Sequence, residues 1–184
     1  MKKLLFSVLL CIMGITASYD AAHALNPYTV MREAKSGLAT SQFLLGLLHT
    51  NGAESDVVEV NPHKAREWYE KAALQGHLVA QLSLAAIYEQ GDNVERDLEK
   101  ASMWYEKAAS QGAALAQLRL GEFYEKGLGV EQDLAKALAW YEKAAAQNYS
   151  DAKVRLENLK KKMAASQKAQ AEAAQPAEAQ VKPE

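Results

Sequence analysis

The strings that carry reactive side chains are short. Ser150-Asp151-Ala152-Lys153 matches S-x-x-K, which sets a lysine one helical turn from a serine nucleophile. Lys35-Ser36-Gly37 resembles the K-[ST]-G box that accompanies it in penicillin-recognising enzymes, but no S-x-N box completes the set. The loop Asp92-Asn93-Val94-Glu95-Arg96-Asp97 offers oxygen ligands without the EF-hand spacing or its closing glutamate. His63 and His77 have no partner at metal-ligand spacing and read as surface residues. Cys11 is the only cysteine, which excludes a cysteine-ligated zinc site and an intrachain disulfide. The 184 residues hold 21 Lys+Arg against 23 Asp+Glu, a net charge of −2, which argues against a nucleic-acid binder. The expectation is a chain with no catalytic residues, no metal and no cofactor.

The elements that would position any site begin after an export signal. Lys2 and Lys3 form a positive n-region, Leu4 to Ala17 is almost wholly apolar, and Ala22-His23-Ala24 is a small-x-small cleavage pattern. Residues 1–24 therefore read as a signal peptide, with a second cut site at Ala17. The apolar run is too short for a comfortable membrane span, so no stable insertion is expected after processing. Leu10 precedes Cys11, where a lipobox needs a small residue, so Cys11 belongs to the discarded segment. The expected location is the periplasm, with secretion as the alternative.

Residues 25–163 are repetitive. Trp68, Trp104 and Trp140 each head the string WYEKAA, 36 residues apart. Residues 64–99 and 100–135 align without a gap at 21 identities in 36 positions, and a third copy covers 136–163. An earlier half-copy, residues 26–60, returns at an offset of 39, so the loop from Gly52 to Asn61 carries three extra residues. Within a copy, Ala101, Trp104, Tyr105, Ala108 and Ala109 form one apolar stripe on a helix. Gln111-Gly112 stops it, and Ala116, Leu120, Phe123 and Tyr124 make a second stripe that ends at Gly127. Asn61, Asp97 and Asp133 are N-cap candidates at the same period, and Pro62 suits the first helical position. Ala85, Gly46 and Gly121 mark close approach on the second helix. Residues 164–184 lack an apolar stripe and contain Pro176 and Pro183, so they read as frayed helix passing into a disordered tail.

The resulting pattern, AxxWYEKAAxQGxxxAQxxLGxxYxxGxGVxxDxxKA, resembles the Sel-1-like repeat (SLR), a relative of the tetratricopeptide repeat. The resemblance covers about residues 26–163. It implies an all-α, right-handed solenoid of about three and a half stacked helix-turn-helix repeats. Trp68, Trp104, Trp140, Gly76, Gly112, Gly121, Tyr88 and Tyr124 fall on structural repeat positions. Ala85 replaces a glycine in one copy, and Asn148 replaces another in the last. Ser150 and Lys153 align with Ala114 and Gln117, and Ser36-Gly37 with Gln75-Gly76, so the enzyme-like strings occupy ordinary repeat positions.

The resemblance also implies binding of another protein or peptide through a concave face lined by the first helices. The positions that vary there are Arg66 and Glu67, Ser102 and Met103, then Leu138 and Ala139. A constant acid follows each tryptophan: Glu70, Glu106 and Glu142. The expected function is an exported, non-catalytic adaptor. The alternatives are a binder or hydrolase of peptidoglycan or β-lactams, the chemistry of some cysteine-rich relatives, and a secreted effector acting on a host protein.

Overall fold

The computed structural model describes residues 26–52 and 57–173. The signal-peptide expectation, part of the Gly52–Asn61 loop and residues 174–184 lie outside the described residues. Among the described residues the chain is all-α, with eight helices and no strand. They are α1 (Pro27–Ser36), α2 (Ala39–Asn51), α3 (Pro62–Leu74), α4 (Leu78–Gln90), α5 (Leu98–Ser110), α6 (Ala114–Lys126), α7 (Leu134–Ala146) and α8 (Ser150–Ala173). None is long and apolar enough to cross a membrane. The fold divides into two compact units within α4, after Leu84.

Local chemistry sets the helix ends. Asn61 Oδ1 accepts the Lys64 amide at 3.1 Å, and Asp97 and Asp133 accept those of Lys100 and Lys136 at 2.9 Å. Each cap satisfies a backbone N–H that has no partner inside its helix. Asn26 caps α1 in the same way, through the Tyr28 amide at 3.0 Å, and Pro27 follows it as Pro62 follows Asn61. Each hairpin then turns on one left-handed residue. Gly76 has φ +87 and Gly112 φ +91, while Asn148 takes φ +63 in the last copy. Asparagine is among the few residues that tolerate this region, which explains the departure from glycine.

In the first unit, residues 26–84, a core of Val30, Ala34, Leu45, Leu48 and Val58 is flanked by Met31, Leu44, Val57 and Trp68. The weak N-terminal half-copy is a complete hairpin there, with a first helix of 10 residues against 13 in α3. In the second unit, residues 85–173, α6, α7 and α8 bury Leu118, Ala137, Tyr141, Ala144, Ala152 and Leu159. Leu156 and Met163 pack against that cluster, so one side of α8 docks on α7. From Ala164 to Ala173 the helix continues with every residue exposed.

Candidate functional site

The WYEKAA string divides its labour by helix geometry. Tyr69, Tyr105 and Tyr141 point inward and are almost fully buried. Two of these rings, Tyr69 and Tyr141, occupy room left by a glycine on the second helix of the preceding hairpin, where Ala85 stands in the middle copy. A Cβ at Gly46 would stand 2.6 Å from the Tyr69 ring, and one at Gly121 2.5 Å from Tyr141. The buried hydroxyls find partners at a fixed register. Tyr105 donates to Glu89 at 2.7 Å and Tyr141 to Glu125 at 2.8 Å, both 16 residues upstream. Tyr69 pairs with Thr50 at 3.0 Å, 19 residues upstream, so the longer loop is absorbed without losing the contact. Burial and the neighbouring carboxylates push the phenol pKa values of Tyr105 and Tyr141 well up, which keeps both hydroxyls as donors.

The tryptophans lie between core and surface. Trp104 is 5% exposed, while Trp68 and Trp140 are half-buried. A lysine three residues on covers each ring: Lys71 at 3.9 Å, Lys107 at 4.7 Å and Lys143 at 3.8 Å from the centroid. Lys100 and Lys136 lie over Tyr88 and Tyr124 and also pair with the capping carboxylates of Asp97 and Asp133. These lysines rest against rings while remaining exposed to solvent.

Two polar networks escaped sequence reasoning. In the second unit Arg119 bridges Glu89 of α4 and Glu122 of α6, and Glu122 also pairs with Arg155 of α8 at 3.0 Å. Glutamines link the hairpin turns. Gln42 donates to the Ala34 carbonyl and accepts from Gln75 at 2.7 Å in the first unit. Gln117 donates to Ala109 and accepts from Gln147 at 2.8 Å in the second. The recurrence of glutamine at these positions was the available signal.

The residues expected to bind separate by exposure. Glu67, Met103, Glu106, Ala139 and Glu142 are exposed, and Met103 is 42% accessible despite being apolar. Arg66, Glu70 and Leu138 are half-buried, with Arg66 paired to Glu70 at 3.1 Å. Ser102 does not belong with them. It is buried, and its hydroxyl donates to the Glu99 carbonyl at 2.8 Å, so its side chain serves the helix. Arg66, Glu67 and Glu70 sit on α3 of the first unit; the others sit on α5 and α7 of the second. The ends of α5 and α7 are tied together: Gln147 donates to the Gly112 carbonyl at 2.9 Å, and Gly129 presses on the backbone of Leu98. The shared Gln-to-carbonyl link also aligns Ala34 of α1 with Ala109 of α5. That places Tyr28, 65% exposed, at the repeat position of Met103, which the sequence reading did not include.

No reacting pair forms in the enzyme-like strings. Lys153 Nζ donates to Asn148 Oδ1 at 2.9 Å, and the hydroxyls of Ser150 and Ser36 donate to Asp151 and to the Glu33 carbonyl. Among the described residues no three His, Cys, Asp or Glu converge on a metal position. His63 is exposed, whereas His77 is half-buried and stacks on Phe43 at 4.7 Å. Its Nδ1 accepts the Ala80 amide at 3.3 Å and so caps α4, which is a structural task.

Residues 39–77, 78–112 and 114–149 match the family described as Sel1 repeat, each match starting at or near the second helix of a hairpin. Among solved structures, the Sel1 repeat protein from Oxalobacter formigenes is 41% identical, with a TM-score of 0.64, over 70% of this chain and 95% of its own. The protein c5321, a protective antigen present in uropathogenic Escherichia coli strains and displaying an SLR fold, is 35% identical with a TM-score of 0.61. That match covers 66% of this chain and 26% of the c5321 chain. Helicobacter pylori cysteine rich protein B is 25% identical with a TM-score of 0.51, over 67% of this chain and 92% of its own. No curated protein matches the chain.

Proposed function

The chain belongs to the Sel1 repeat family, and on that premise we propose that it is an exported, non-catalytic adaptor that binds another protein through its first helices. Sel1 repeats commonly serve as protein-interaction scaffolds. The observation that carries the reading is the contrast within one turn of α5. Trp104, whose position is tryptophan in all three WYEKAA copies, is buried, while Met103, which varies, leaves an apolar side chain in solvent. Constant positions build the hairpins, and varying exposed positions are free to distinguish partners. On α5 and α7 the recognition set is Met103, Glu106, Leu138, Ala139 and Glu142. Export rests on the amino-terminal signal pattern.

Affinity capture with cross-linking from the native cell envelope tests the proposal. A specific partner retained by the wild type and lost by Met103→Lys supports it. Retention of the same partner by that variant refutes the assigned face. Hydrolysis of nitrocefin by the purified protein would instead favour the β-lactam alternative.

A further inference from the structure

On α5, Glu99, Met103 and Glu106 lie at i, i+4 and i+7 and are all exposed, forming one acid–apolar–acid stripe. Among the described residues neither Glu99 nor Glu106 forms an ion pair, because Lys100 and Lys107 are drawn onto Tyr88 and Trp104. The matching positions of α7, Ala135, Ala139 and Glu142, are exposed as well, two of them small and uncharged. The same chain carries the complement. Past Met163, α8 runs on for ten exposed residues, about 15 Å at the usual helical rise, with no described residue packed on it. On the exposed side of this end, from the turn before Met163 onward, Lys161, Ala165 and Lys168 lie at i, i+4 and i+7, and Ala164 shares their face. The two stripes have the same length and opposite charge, Met103 standing between the acids and Ala164 and Ala165 between the lysines; Lys168 also pairs with Glu172 at 3.8 Å, an exposed contact that a second acid can replace. Being one continuous helix docked on α7, α8 cannot fold its far end back onto its own α5.

We propose that the free end of α8 of one copy docks on the α5 stripe of a second copy, Lys161 and Lys168 meeting Glu99 and Glu106 while Ala164 and Ala165 cover Met103. The contact rests on the first-helix binding face assigned above and gives that face a resident competitor. It is heterologous, with different surfaces on the two copies. It is also small and charge-dominated, which makes the association weak, fast and salt-sensitive.

Sedimentation velocity of the mature chain at low salt, from micromolar to millimolar concentration, tests this. The wild type should self-associate. Glu99→Lys with Glu106→Lys should weaken association by about tenfold or more, as should Lys161→Glu with Lys168→Glu. An equimolar mixture of the two charge-reversed proteins should associate again, because only the cross-pairing is complementary. All altered residues are exposed, so circular dichroism should show unchanged helicity. A monomeric wild type at every concentration, or a mixture that stays monomeric, overturns the proposal. A photo-cross-linker at Met103 separates this outcome from failure of the adaptor reading. An adduct of twice the chain mass supports self-docking, whereas a foreign adduct with a monomeric wild type overturns it and leaves the adaptor reading standing.

Discussion

Replacing Trp104 by alanine probes what holds the second unit together. The ring is 5% exposed, so nearly its whole surface leaves water on folding. A buried aromatic of this size removes about 200 Å², worth about 5 kcal/mol at about 25 cal/mol per Å². Mutational experience with buried aromatics places the loss at about 3–5 kcal/mol, and the Lys107 contact adds about 0.5–1 kcal/mol. Against a total of about 5–15 kcal/mol, the variant should be largely or wholly destabilised. Trp68 and Trp140 are half-buried, so their alanine variants should lose clearly less. Met103→Lys, one residue away but exposed, should shift stability by less than about 1 kcal/mol. Urea melts followed by circular dichroism rank the four. If Trp104→Ala melts like the wild type, or no worse than Trp140→Ala, the tryptophans are not the structural residues described here.

Other perturbations isolate single contacts. Gly121→Ala places a methyl against the Tyr141 ring, whose hydroxyl is fixed on Glu125, and should cost about 1–3 kcal/mol in a urea melt. His77 has its pKa lowered from 6.5, chiefly by burial, so folding favours the neutral ring. Its contribution to stability is complete above about pH 6.5 and is lost as the pH falls through the depressed folded value, because the unfolded chain then takes up the proton first. The difference between melts at pH 7.5 and 5.5 should therefore shrink in His77→Gln. Truncation after Met163 removes, among the described residues, only exposed ones and should leave the melting temperature within a few degrees. Amino-terminal sequencing of the protein recovered from cells should begin at Leu25; an intact Met1 would remove the export reading.

The caps and turns were legible in the sequence because their physics is local. Asn61, Asp97 and Asp133 each cap an amide three residues on, and the stripe from Ala101 to Ala109 is buried as its period requires. What escaped were links between helices. The bond from Tyr141 to Glu125 and the chain from Glu89 through Arg119 and Glu122 to Arg155 join residues on different helices, which the period of a single helix does not pair. The complete first hairpin was obscured because Val30 and Thr29 stand where tyrosine and tryptophan mark later copies. Ser102 was placed on the binding face because its position varies between copies. A helical step of about 100° per residue instead carries it round to the buried side.

The central claim is that the exposed first-helix positions of the second unit contact a partner. A photo-cross-linking residue placed at Met103, at Ala139 and, as a control, at exposed Asn158 on α8 tests it directly in the intact envelope. The account predicts one discrete protein adduct shared by positions 103 and 139 and absent from 158. Adducts confined to 158, or equal at all three positions, would contradict it.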